Sequence, residues 1–165
     1  MAETPSPEVM RFRDAIGRFA TGVAIVTAHG QAGPAGLTTN AVSSLSLDPL
    51  MLIVCFDKAS RTLPVVQESR RLAVNLLRAG HEDTARLFAS KHVAQDKFDA
   101  VTHTVDHGVP VLDDALAWFV CDVAAFHEGG DHLIAVGQVT AFDYDPTGEP
   151  LLFHAGQWCR LLAAA

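Results

Sequence analysis

The chain has 165 residues, 49% of them hydrophobic and 19% charged. With a positive mean hydropathy, that composition excludes intrinsic disorder and suits one domain with a sizeable core. Twelve Lys plus Arg against nineteen Asp plus Glu give a net charge of −7, which lacks the basic surplus that displaces counterions from nucleic acid.

The apolar runs, such as Leu50–Phe56, are too short to span a bilayer, so no membrane partner is expected. Residues 1–8 read as a loose tail and residues 9–165 as a single domain. Met1–Arg13 mixes Glu3, Pro5, Pro7 and Glu8 with basic residues and shows no signal-peptide pattern. Cys55, Cys121 and Cys159 are scattered through apolar runs, which predicts reduced, buried thiols in a cytoplasmic protein.

Val9, Phe12, Ile16 and Phe19 recur at helical steps and predict an amphipathic helix opening near Pro7 and ending near Gly22. Strand signals follow at Val23–Ala28, then a glycine-punctuated loop at Gly30–Gly36 and strands at Ala41–Leu47 and Leu50–Phe56. A short helix begins around Thr62–Pro64, where proline suits the first turn, and Leu72–Leu77 returns to strand. The charged stretch His81–Phe98 is helix-compatible, with Leu87, Phe88 and Phe98 facing inward, and Thr102–Asp113 reads as surface loop. Strands at Trp118–Phe126, Leu133–Phe142, Leu151–Phe153 and Trp158–Leu162 close the chain, with a hairpin turn at Gly129-Gly130-Asp131. Many short strands between Gly and Pro favour a mainly β fold with flanking helices, barrel-like rather than doubly wound.

Several familiar chemistries find no motif. Gly30, Gly33 and Gly36 are spaced GxxGxxG rather than GxGxxG, and neither a P-loop nor GxSxG occurs. His103 and His107 have an i, i+4 spacing in a helix-averse context, so no metal site is expected.

Two segments carry more. Gly36–Ser44 is dense in hydroxyl and amide groups beside apolar strands; it is either a solvated strand end or a surface for a heterocycle with its own donors and acceptors. Asp57–Thr62 joins a strand to a helix and supplies Ser, Thr, Lys and Arg; it is either a plain cap with surface charges or a phosphate cradle. A polar band with an anion cradle fits a phosphorylated aromatic cofactor such as a flavin nucleotide.

The ordered set Phe12-Arg13, Phe19-Ala20-Thr21-Gly22-Val23, Gly36-Leu37-Thr38-Thr39-Asn40-Ala41, Ser44-Leu45-Ser46-Leu47-Asp48-Pro49 and Gly130-Asp131-His132 resembles the short-chain flavin reductase family, over roughly residues 10–162. That family includes the reductase components of two-component flavin-dependent monooxygenases. The resemblance implies an FMN-binding split β-barrel with Greek-key-like connections, a homodimer, and a separate monooxygenase partner. It places the flavin ring against Thr38, Thr39, Asn40 and Ala41, with Ser44 nearby. It places the ribityl chain and phosphate against Val54, Cys55, Lys58, Ser60 and Thr62, with Phe88 and Lys91 close to the phosphate. His132 and Trp158 are implied on the nicotinamide side. Relatives often read Phe-x-x-Gly-Arg/Lys-Tyr where this chain has Phe153-His154-Ala155-Gly156-Gln157-Trp158, so an amide and an indole replace a charged and a phenolic group.

The implied activity is NAD(P)H:flavin oxidoreduction, with FMN or FAD taking a hydride from NADH or NADPH and no side chain acting as nucleophile or acid–base. The alternative is a non-enzymatic flavin carrier or sensor on the same barrel.

Overall fold

The computed structural model describes residues 5–162. Helix α1 (Pro7–Ile16) opens at Pro7 as its periodicity predicts, and Ser6 caps it: its hydroxyl accepts the Val9 N–H at 3.3 Å. It stops well before Gly22. Main-chain bonds from Arg18 to Ala15 and from Phe19 to Ile16 tighten the chain into a turn at Gly17. No residue of α1 is buried, and Phe12 and Phe19 are 68% and 72% exposed. The expected apolar stripe exists, but no other described residue covers it.

The strands are β1 (Thr21–Gly22), β2 (Ala24–Gly30), β3 (Gly33–Thr39), β4 (Val42–Leu47) and β5 (Leu50–Asp57), then α2 (Leu63–Ser69) and β6 (Arg71–Leu76). Helices α3 (Glu82–Ala89) and α4 (Ala94–Asp99) precede β7 (His103–Asp106), β8 (Val109–Leu112), β9 (Ala117–Gly129), β10 (His132–Tyr144), β11 (Leu152–His154) and β12 (Gln157–Cys159). No helix among the described residues is long and apolar enough to cross a membrane.

Seven strands form one antiparallel sheet in the order β3-β2-β6-β9-β10-β5-β4. Its two edge strands are neighbours in the chain, joined only by Asn40 and Ala41. Six strand spacings of about 4.8 Å would hold flat edges roughly 29 Å apart, far beyond the reach of two linking residues. The sheet therefore curls until β3 and β4 meet, without pairing as a ladder. It is a barrel split along one seam.

Ala24, Val26, Leu52, Val54, Phe56, Leu72, Val74 and Cys121 fill the barrel, joined by Leu63 and Val66 of α2. Outside it, α3 and α4 bring Ala85, Phe88 and Phe98 against Val23 and Ile25. Side chains of this size contribute about 1.5–3 kcal/mol each on full burial. The Phe88 and Phe98 rings meet edge to face at 5.2 Å.

Three expectations are corrected. The Gly30–Gly36 stretch is not a loop: Gly30 pairs with Gly33, and β3 runs on through Gly36. Thr102–Asp113 contains the hairpin β7–β8, whose Val109 and Val111 are buried against Ala73 and Val120. Its anchor is polar and buried: Asn75 Nδ2 donates to the Ile25 carbonyl at 3.1 Å, and Asn75 Oδ1 accepts the Leu112 N–H at 2.9 Å. Only Cys121 of the three free thiols is buried; burial, then the Asp122 charge, pushes its pKa up to about 12. Cys55 and Cys159 are half-buried.

Candidate functional site

The seam leaves a cleft of about 810 Å³ between the end of β3, the end of β5 and the α3–α4 connection. Its polar band comes from Thr38, Thr39, Asn40 and Ala41. Thr38 Oγ1 donates to the Ala85 carbonyl at 2.6 Å and ties the band to α3. Thr39 Oγ1 accepts the Ala41 N–H at 3.0 Å, and Asn40 Nδ2 donates to Thr21 Oγ1 at 3.1 Å. These bonds fix the turn where the chain crosses the seam, and the Asn40 carbonyl oxygen and Thr39 hydroxyl proton stay available to a ligand.

Gly36 opens the cleft floor. A Cβ there would lie 2.7 Å from the Phe88 ring, so only glycine lets β3 pass this close to α3.

Asp57–Thr62 folds as nested turns. Asp57 Oδ1 accepts the Ala59 N–H at 2.7 Å, and Ser60 Oγ accepts the Thr62 N–H at 3.1 Å. The Ser60 hydroxyl proton therefore remains to donate. Thr62 precedes α2 without a side-chain capping bond, and its side chain lines the cleft. Arg61, Lys91 and Lys97 line the same space, against one lining carboxylate, Asp57. In a chain of net charge −7, this concentrates positive potential where a ligand would sit.

His132 stands at the mouth, where β10 begins opposite Asp57 of β5. The turn Gly130-Asp131 delivers it, with Gly130 at φ +67°, a conformation open to glycine. Asp131 Oδ1 lies 2.7 Å from His132 Nδ1, and that hydrogen bond, with the imidazole's charge second, holds the Asp131 carboxyl below its usual value. An Nδ1–H donated to the carboxylate turns Nε2 toward a ligand.

Of the residues expected at the site, Thr38, Thr39, Asn40, Ala41, Cys55, Ser60, Thr62, Phe88, Lys91 and His132 line this cleft. Four do not. Val54 is fully buried, with its side chain inside the barrel. Ser44 faces a separate apolar groove, because β4 has crossed the seam. Lys58 is spent on the β9–β10 turn: its Nζ donates to the Gly130 carbonyl at 2.7 Å and pairs with Glu128 at 2.5 Å. Trp158 packs edge-on against Phe153 at 5.0 Å beneath the Arg86 guanidinium.

Ser90, His92 and Lys97 line the cleft without having been singled out in sequence, and Arg61 joins them without having been assigned a contact. Arg61 lay within the suspected cradle. Lys97 gave no local signal, since packing of α4 on β3 alone brings it there.

Comparison with known proteins agrees with this geometry. The family model of the flavin reductase like domain matches residues 16–162. A probable flavin reductase of Rhizobium meliloti (strain 1021) is 42% identical over 144 residues; they make up 86% of this chain but 45% of that relative, so the chain spans less than half its length. A flavin-dependent monooxygenase reductase subunit, HsaB of Rhodococcus jostii (strain RHA1), is 34% identical over 90% of this chain and 75% of its own. The structure of Streptomyces globisporus C-1027 NADH:FAD oxidoreductase SgcE6, in complex with NAD and FAD fragments, superposes with a TM-score of 0.91 at 34% identity, covering 99% of each chain. With its split barrel and seam cleft, this chain belongs to the flavin reductase family.

Proposed function

We infer that this chain is an NAD(P)H-dependent flavin reductase that hands reduced flavin to a separate flavin-dependent monooxygenase. The observation that carries this reading is one cleft with an amide and hydroxyl band at one end and a cationic, hydroxyl-lined cradle at the other. A flavin nucleotide has the same polarity, a ring with donors and acceptors and a phosphate beyond it. The donor set and the volume of about 810 Å³ fit such a group.

Thr39 and Asn40 would hold the pyrimidine edge of FMN or FAD, with main-chain groups of Asn40 and Ala41 beside them. Ser60, Thr62 and Lys91 would hold the phosphate by charge-assisted hydrogen bonds. When bound, the flavin supplies the hydride-accepting chemistry, and the protein supplies orientation. His132, steered by Asp131, would orient the nicotinamide nucleotide at the mouth. Donors preset along the polar band stabilise negative charge on a ring edge without reorganising.

A homodimer completes the reading. An apolar groove of about 640 Å³ is lined by Phe19, Leu47, Leu50, Met51 and Phe142 among others, and the apolar side chains of α1 are exposed as well. Continuous apolar surface of this kind suits a second copy. A cytoplasmic location suits three free thiols and a supply of NAD(P)H.

The test is a titration of the purified protein with FMN and FAD, followed by NADH and NADPH oxidation with free flavin in excess. Many turnovers per chain are expected. Flavin binding with no oxidation of either nucleotide would make the protein a carrier and overturn the reductase reading.

A further inference from the structure

Lys97 is the only charged residue buried among those described, at 4% exposure. No described carboxylate forms an ion pair with it; its Nζ donates instead to the Phe88 carbonyl at 3.0 Å and the Ser90 carbonyl at 2.9 Å. It also lies 5.8 Å from the Phe88 ring centroid. Arg61 donates to the His92 carbonyl at 3.1 Å. Two cations thus hold three alternate carbonyls, of residues 88, 90 and 92, as the chain leaves the C-terminal end of α3.

The Phe88 carbonyl lies in the last turn of α3, where the helix has run out of its own donors and its dipole favours positive charge, and the Ser90 and His92 carbonyls follow beyond its end. Burying an ammonium is costly, and an apolar side chain of similar length would fill the space with less penalty. Burial, and then the charge of Arg61, also hold the Lys97 pKa below that of an ordinary lysine. The cation is therefore an expensive way to fill space, but an effective way to fix a main chain. The held segment carries Phe88, Lys91 and His92, which line the cleft.

We propose that Lys97 and Arg61 are positioning residues that clamp segment 88–92 and so set Lys91 and His92 to receive the phosphate of the ligand. The proposal rests on the flavin reading of the cleft. The clamp itself is a property of the ligand-free protein. It can be measured before any flavin is added.

Hydrogen exchange of the free protein tests it directly. In Lys97→Met, amides of segment 88–92 should exchange at least about tenfold faster than in the wild type, with the barrel strands unchanged. FMN affinity should fall about tenfold and riboflavin affinity less than about threefold, since only FMN carries the phosphate. On a Lys91→Met background the same substitution should cost little further FMN affinity, because it acts through the segment that carries Lys91. Lys97→Gln keeps donors without charge and should retain more of the FMN preference than Lys97→Met.

Unchanged exchange at 88–92, equal losses for FMN and riboflavin in a folded variant, or full additivity with Lys91→Met would each overturn the clamp. Should the Lys97 variants not fold, Arg61→Met, whose side chain is exposed, carries the same three readouts. A wild type that binds FMN no tighter than riboflavin would instead defeat the phosphate reading, and the exchange data would still decide the clamp.

Discussion

Ser60 and Thr62 divide their duties between the fold and the ligand. Ser60 Oγ accepts the Thr62 N–H, which leaves its proton free, and Thr62 makes no side-chain capping bond of its own. Charge-assisted bonds are worth about 1.5–3 kcal/mol each, so Ser60→Ala with Thr62→Ala should weaken FMN binding at least about tenfold. Riboflavin should lose far less, and parallel losses measured by flavin titration would remove both hydroxyls from the phosphate site. His132 poses a separate question. Its Nδ1 is engaged by Asp131, and its ring is reached from the cleft mouth. His132→Ala should raise the KM for NAD(P)H while leaving flavin affinity nearly unchanged. Steady-state kinetics with varied NAD(P)H decide it: an unaltered KM and kcat would make this a surface histidine.

At the scale of elements, the hairpin β7–β8 shows how a segment rich in turn residues becomes part of the core. Gly108 and Pro110 read as loop, and the short apolar stretch around them gives little local pattern. What holds the hairpin is Asn75 on β6, bonded to Ile25 and Leu112, with Thr27 Oγ1 donating to the Pro110 carbonyl at 2.5 Å. Asn75→Ala would leave the Leu112 N–H without its partner in a fully buried site and remove the side-chain bond to the Ile25 carbonyl. A loss of about 2–4 kcal/mol in urea denaturation is expected. A loss under about 0.5 kcal/mol would show that apolar packing alone docks the hairpin. Helix α1 is the opposite case: its period was legible, yet its apolar face finds no cover among the described residues.

That uncovered face belongs to the whole molecule. Leu47 is 83% exposed beside Leu50 and Phe142, in the groove that Phe19, just past the end of α1, also lines. Because the chain's own core makes no use of Leu47, Leu47→Asp should leave the protomer folded while destroying a contact between copies. Sedimentation at micromolar concentration should give twice the chain mass for the wild type and one chain mass for the variant. A wild type that sediments as a monomer would refute the dimer.

By itself the sequence determined the β-rich class, most strand positions, the β9–β10 turn and the two polar segments, because alternation, glycine pairs and hydroxyl runs are local signals. The resemblance in motifs such as Gly130-Asp131-His132 added the family and ten residues that the structure brings to one cleft. Tertiary structure decided the rest. Val54 and Cys55 face opposite ways because neighbours on a strand alternate, but only the curl of the sheet makes the first face the barrel interior and the second the cleft wall. Lys58 and Arg61 lie three residues apart, but the first is drawn to Glu128 across the sheet and the second to the α3–α4 connection. Lys97 became visible only once α4 had packed against β3. A side chain's type is written locally, but its direction depends on which distant strands and helices close around it.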